Sequence, residues 1–348
     1  MNIEELIIKA KEDGASDVHL VSGLPPKYRV DGELVNMPFL PLSYKECEEY
    51  AKELAGEEYE QIEKIGELDL AKTLAGERVR INLFRQQGRV SAVLRILRST
   101  IPRLEELGLP PAINDFSAWK KGIVLITGET GSGKSTTLAA ILNTINHTRN
   151  GHIVTLEDPI EYIYTPDKCV INQREIGTDT RSYADGLRAI LREDPDVILI
   201  GEMRDQETIE IALTAAETGH LVFATLHTNS ATDSIDRIVG SFPGEKQQQV
   251  RMELSTCLKA VVSQQLLPRK TGKGRVAACE VMIVNPAIRN LIREGKTPQM
   301  FSAMLSGATE GSVTMDNSLI KMYKEQMIDA KTALEASHDL EYMKRSIR

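Results

Sequence analysis

The sequence predicts an α/β chain in which a parallel-sheet domain follows a smaller α+β domain. Three observations carry this expectation. From about residue 115, apolar runs of strand length at 122–127, 152–156, 197–200 and 221–226 each give way to loop residues and then a helical pattern. That alternation marks parallel βαβ units, whose ligand loops lie at the strand carboxyl ends. The first hundred residues instead mix amphipathic helices with short period-two runs. Finally, at roughly 100–200 residues per domain, a chain of 348 residues predicts two domains.

In chain order, an amphipathic helix is expected at about 3–11. Lys27–Met37 contains Asp31-Gly32, the dipeptide that supplies positive φ to a hairpin turn. Helical patterns follow at about 43–54 and 57–65. In Arg78-Val79-Arg80-Ile81-Asn82-Leu83, polar and apolar residues alternate, so Arg78, Arg80 and Asn82 share one strand face. Gln86-Gln87-Gly88 turns the chain into a second strand at about 89–97. Ile101-Pro102 and Leu109-Pro110-Pro111 punctuate a linker, which gives an N-terminal domain at 1–99, a linker at 100–114 and a second domain at 115–348. The last 80 or so residues read as mainly helical.

Composition narrows the function classes. With 41% hydrophobic and 26% charged residues the chain can bury sizeable cores. The net charge of -8 argues against a general binder of nucleic-acid backbones. That charge is uneven. Residues 1–77 hold 8 basic and 18 acidic side chains, whereas 78–98 hold six arginines (Arg78, Arg80, Arg85, Arg89, Arg95, Arg98) and no acid. Such a segment is either a solvated strand face paired with acidic neighbours or an anion site. Cys47, Cys169, Cys257 and Cys279 form no C-x-x-C pair and have no histidine at ligand spacing, so buried thiols, no zinc and a reducing compartment are expected. The start, MNIEELIIKAKEDG, does not resemble a signal peptide, and no apolar run approaches a membrane span, so a cytoplasmic chain without membrane insertion is expected.

The strongest local signal is Gly128-Glu129-Thr130-Gly131-Ser132-Gly133-Lys134-Ser135. Directly after a strand and before a helical run, it fits G-x-x-x-x-G-K-[ST]. The glycines let backbone N–H groups converge on phosphate oxygens, Lys134 reaches the β/γ-phosphates and the Ser135 hydroxyl ligates Mg²⁺. Val197–Ile200 ends in Gly201-Glu202. An acid there can orient water, and because Gly201 stands where an Asp is usual, Glu202 is expected to polarise water rather than ligate metal directly. Glu157, Asp158 and Glu161 share one loop and suit Mg²⁺, although a helix cap or turn explains such a loop as well. His227, at the end of Leu221–Leu226, has the place of a γ-phosphate sensor or of an ordinary packing histidine; His147, His152 and His338 have no partner pattern. Arg188, Arg192 and Arg204 flank Glu202 in sequence and are candidate arginine fingers acting in trans.

The succession GETGSGKST, TLEDPIEY, LREDPDVILIGEMRD and TGHLVFATLHTNSA resembles the secretion/type IV pilus ATPases, and Ala15-Ser16-Asp17-Val18-His19-Leu20 with Gly23-Leu24-Pro25-Pro26 extends the likeness to the chain's start. The resemblance implies a RecA-like P-loop motor domain preceded by a PAS-like domain, assembled as a hexameric ring. It places the nucleotide loop on Gly131, Ser132, Gly133, Lys134, Ser135 and Thr136, and the catalytic glutamate on Glu202. The acidic box falls on Glu157, Asp158 and Glu161, the His-box histidine on His227 and the N-domain arginine at ATP on Arg80. Glu129 stands where many relatives have Pro. Two features resemble the pilus-retraction subgroup: the missing C-x-x-C zinc module, and Ala287-Ile288-Arg289-Asn290-Leu291-Ile292-Arg293-Glu294, which matches its AIRNLIRE coupling element. From residues alone that stretch is a short amphipathic packing helix.

The resemblance therefore implies an ATP- and Mg²⁺-dependent motor for pilus retraction and twitching motility. It would dock at the inner face of the cell membrane on a platform protein, and would have no nucleic-acid partner. The rivals are a pilus-assembly or type II secretion ATPase without zinc, a RecA-type nucleic-acid motor, and a nucleotide-binding regulator with negligible turnover. Low aromatic content and the acidic balance disfavour the nucleic-acid motor.

Overall fold

In a computed structural model of the chain, residues 2–30, 33–97 and 100–347 are described. The chain divides into two compact units, residues 1–100 with 159–163, and 101–158 with 164–348.

The first unit contains helices α1 (Ile3–Glu12), α2 (Tyr44–Ala55) and α3 (Tyr59–Ile65) and strands β1 (Asp17–Leu20), β2 (Lys27–Val30), β3 (Glu33–Asn36), β4 (Glu67–Leu74), β5 (Glu77–Gln86) and β6 (Arg89–Ile96). The strands form one antiparallel sheet in the order β3-β2-β1-β6-β5-β4. Local chemistry sets the helix starts. The Asn2 side chain accepts from the Glu5 N–H at 2.8 Å while Glu5 accepts from the Asn2 N–H, and Ser43 and Glu46 repeat the arrangement at α2. Ile3, Leu6, Ile7 and Ala10 of α1 join a core with Val79, Ile81 and Leu83 of β5, which leaves Arg78, Arg80 and Asn82 on the opposite face as the alternation requires. Gln87 and Gly88, both at positive φ, turn β5 into β6. β2 and β3 pair as the expected hairpin arms, but Asp31 and Gly32, the expected turn, lie outside the described residues, as does Arg98.

The second unit is built on β7 (Gly122–Thr127), β8 (Gly151–Glu157), β9 (Cys169–Glu175), β10 (Val197–Ile200), β11 (Leu221–Leu226), β12 (Leu258–Pro268) and β13 (Arg275–Ile283). They form a sheet in the order β13-β12-β7-β11-β10-β8-β9, parallel throughout except for the β12–β13 pair. Helices α4 (Lys134–Thr148), α5 (Tyr183–Ile190), α6 (Gln206–Glu217), α7 (Ala231–Gly240) and α8 (Gly244–Cys257) connect the strands. All residues of β7, β10 and β11 are buried, which is why these strands read as apolar runs broken only by Thr127 and Thr225.

Beyond β13 the chain is helical: α9 (Pro286–Glu294), α10 (Met300–Ser306), α11 (Met315–Lys324), α12 (Ala330–Glu335) and α13 (Leu340–Ser346). The last 80 or so residues are thus mainly helical, as expected, with one strand at the start of the segment. Arg275–Ile283 is a strand, because Val276, Ala278 and Met282 pack against helical residues while β12 supplies its antiparallel partner. Among the described residues no helix is long and apolar enough to cross a membrane. All four cysteines are free and buried, and burial pushes the Cys257 and Cys279 thiols up to about 12.

One buried carboxylate ties the helical end to the sheet. Glu280 of β13 is 3% exposed; its Oε1 accepts from the Ala231 N–H of α7 at 2.8 Å and its Oε2 from the Met315 N–H of α11 at 3.3 Å. Burial raises its pKa and the two helix-terminal donors pull it back, with burial prevailing. Glu280→Ala orphans both N–H groups, so urea denaturation is expected to register a loss of at least about 2 kcal/mol. A loss below about 0.5 kcal/mol contradicts this bridge.

Candidate functional site

Strand register assembles the candidate site. Thr127 at the end of β7 lies opposite Leu226 at the end of β11, and Ile200 at the end of β10 lies opposite Ala224. The residues that follow, Gly128 onward, His227 and Gly201-Glu202, therefore emerge together at one carboxyl edge. Leu156 of β8 pairs with Ile200, which brings Glu157 and Asp158 to the same edge.

The phosphate loop runs from Gly128 to Gly133 and opens α4. Gly128, Gly131 and Gly133 have φ of +139°, +82° and +94°, a conformation that excludes ordinary side chains. Lys134 is buried, and its Nζ donates to the carbonyls of Gly128 at 2.7 Å and Glu129 at 2.9 Å, so the ammonium is folded over the loop. Ser132 Oγ is buried without a hydrogen-bond partner, an orphaned donor of the kind an anion satisfies. Ser135 is exposed in the first turn of α4, Thr136 is half-buried and Glu129 is exposed. Beside the loop lies a cavity of about 320 Å³ bounded by Glu129, Gly131, Ser132, Asn229, Gln264 and Arg275.

Across the edge, Glu202 is the hub. Arg204 Nε lies 2.7 Å and His227 Nε2 3.2 Å from the same oxygen, Oε1, while the side chain is only 17% exposed. Burial opposes ionisation of Glu202, but the Arg204 hydrogen bond and the adjacent His227 outweigh it and hold the carboxyl below its usual range. It is therefore a carboxylate at neutral pH. The Thr225 hydroxyl donates to the Gly201 carbonyl, and the Met203 N–H donates to the Thr225 carbonyl at 3.1 Å, which pins the Glu202 backbone to β11. Gly201, where an Asp is usual, has a packing reason. A Cβ there would lie 3.0 Å from the Leu156 carbonyl and 3.0 Å from the Tyr183 hydroxyl.

The acidic-loop residues are distributed between the units. Glu157 accepts from the Thr155 hydroxyl at 2.7 Å, Asp158 is exposed, and Glu161 falls in the segment 159–163 that packs with the first unit. Among the described residues no three His, Cys, Asp or Glu side chains are grouped to hold a metal ion. Tyr183, which the sequence did not single out, is surrounded by Asp158, Glu202 and Glu157; burial first, then these charges, raises its phenol far above the usual range. No local pattern marks it.

The arginines separate. Arg204 sits on Glu202, Arg188 pairs with Glu207 and Asp185, and Arg192 is exposed. Within the first unit Arg80 lies 3.7 Å from Asp69, Arg95 donates to Asp17 at 2.8 Å, and Arg78 donates to the Ile160 carbonyl at 3.0 Å. His220 is bonded to the Ala215 carbonyl at the opposite, amino end of β11. The Ala287–Glu294 stretch lies within α9, with Ile288 and Ile292 fully buried and the Asn285 side chain capping its start. Sequence reading also missed Gln264, whose signal was a polar Ser263-Gln264-Gln265 inside an otherwise apolar strand.

Comparison with known proteins bears on this geometry. The chain is 47% identical over 337 residues to the type IV pilus retractation ATPase PilT of Pseudomonas aeruginosa, covering 96% of this chain and 98% of that one. It is 45% identical over 320 residues to a twitching motility protein of Neisseria gonorrhoeae, covering 91% and 86%. A crystal structure of the pilus retraction motor PilT with bound ADP superposes with a TM-score of 0.93 at 48% identity over 99% of both chains. The pattern of the family described as type II/IV secretion system protein matches residues 2–332, and the chain belongs to that family.

Proposed function

We propose that the chain is an ATPase that drives type IV pilus retraction and hence twitching motility. The observation that carries the reading is the common carboxyl edge of β7, β11 and β10, where the phosphate loop, His227 and Glu202 meet in a chain related along nearly its whole length to retraction ATPases. ATP binds with its β- and γ-phosphates on 128–136, held by backbone donors, Ser132 and Lys134. Mg²⁺ would be held by Ser135, with Glu157 and Asp158 acting through water, and would neutralise charge on the phosphates. Glu202, already a carboxylate, orients and polarises the attacking water, with Glu161 as a supporting acid. His227, on the same Glu202 oxygen, reports loss of the γ-phosphate. Arg188, Arg192 and Arg204 are candidates for offsetting developing charge in trans, and Arg80 contributes a further cation to the nucleotide.

The working assembly is a hexameric ring in the cytoplasm, docked at the inner membrane on the pilus platform protein. Ala287–Glu294 of α9 transmits the nucleotide-driven motion. A deletion strain is expected to carry more surface pili and to lose twitching; absent pili would mean assembly instead. In the purified protein, Glu202→Gln should retain ATP binding while hydrolysis falls at least about 100-fold. Hydrolysis equal to that of the parent removes Glu202 from the mechanism. Lys134→Ala should lose nucleotide affinity, and unchanged affinity refutes the phosphate-loop assignment.

A further inference from the structure

We propose that Gln264 is a positioning residue for the phosphate loop, holding from β12 the loop conformation that receives the nucleotide's β-phosphate. This deepens the nucleotide-site reading and rests on it. Two side-chain bonds from one buried amide, 3% exposed, join the loop to the helix that follows it. Gln264 Nε2 donates to the Ser132 carbonyl at 2.8 Å, and Gln264 Oε1 accepts from the Thr137 hydroxyl of α4 at 2.8 Å. A primary amide can do both at once because it carries a donor and an acceptor on one planar group.

The loop is shaped around this residue. A Cβ on Gly133 would lie 2.6 Å from Gln264 Nε2, and a Cβ on Gly128 would lie 2.3 Å from the Gln264 carbonyl oxygen. Gly128 is thus required by the β12 backbone as well as by its positive φ, and a side chain at Gly133 would displace the Gln264 amide. Next to Gln264, the Ser263 hydroxyl lies 2.9 Å from that of Thr127, so the same strand also fixes the end of β7.

The consequence for binding follows from peptide geometry. With the Ser132 carbonyl engaged on Gln264, the rigid trans peptide directs the Gly133 N–H the opposite way. A carbonyl held on β12 cannot turn its negative end to a phosphate, and an amide with a fixed direction does not have to be ordered when nucleotide arrives. Because the loop grips the β-phosphate in the ground state and the transition state alike, loosening it removes uniform binding. KM and Kd should rise while kcat holds.

The test uses the full-length chain with Gln264→Leu and Thr137→Val, ADP affinity by calorimetry and steady-state ATP hydrolysis. Gln264→Leu is expected to raise the ADP Kd and the ATP KM about tenfold, with kcat within about twofold of the parent. Thr137→Val, which keeps the side-chain volume, is expected to raise both about threefold. A parental ADP Kd in Thr137→Val, or a fall in kcat with unchanged KM in either variant, overturns the assignment. If Gln264→Leu does not fold, Thr137→Val decides alone. Lys134→Ala separates the two levels. Lost ADP binding there, with parental binding in the Gln264 and Thr137 variants, removes only the role of Gln264. Retained binding in Lys134→Ala removes the phosphate-loop reading beneath it.

Discussion

The parallel register of β7, β11 and β10 is the constraint on which the rest depends. These strands are buried on both faces, their two polar residues Thr127 and Thr225 being hydrogen-bonded, so they do not tolerate a slip that would move their ends apart. Because Thr127, Leu226 and Ile200 end their strands in near alignment, three short segments far apart in sequence share one edge. Glycine then does local work on that edge. Gly201 allows β8 to pass close by, and Gly128 allows β12 to do so.

That edge is acidic, which gives it an electrostatic problem as well as a chemical use. Glu157, Asp158 and Glu202 gather around Tyr183, a concentration of negative charge. Arg204 and His227 relieve it at Glu202, where both approach one carboxylate oxygen. On the other side Lys134, the start of α4 and the orphaned Ser132 hydroxyl provide positive potential and a donor. A phosphate chain with its cation suits the space between these two poles, because it meets donors at one end and carboxylates, through metal and water, at the other.

Much of this was legible in the sequence because it depends on local spacing. The phosphate loop is defined within eight residues, and the runs at 122–127, 197–200 and 221–226 recur as strands with those bounds. Glu202 could be placed at a strand end without knowing its neighbours. What was not legible depends on long-range register. Gln264 looked like a polar residue in an apolar run, and only the pairing of β12 with β7 brings it to Ser132. Tyr183 acquires its meaning from carboxylates on two other strands. β13 opens a stretch that is otherwise helical, and its strand character comes from its antiparallel partner β12. The arginine-rich segment shows the same limit. Its excess charge was visible, but the pairing of Arg95 with Asp17 and Arg80 with Asp69 follows from sheet order rather than from spacing.

The central claim is that nucleotide is held by the 128–135 loop as braced by β12. Hydrogen exchange of backbone amides with and without saturating ADP tests it most directly. Slowed exchange concentrated at 129–136, extending to 263–266, is the predicted result. Unchanged exchange across both segments, with protection appearing elsewhere in the chain, would contradict it.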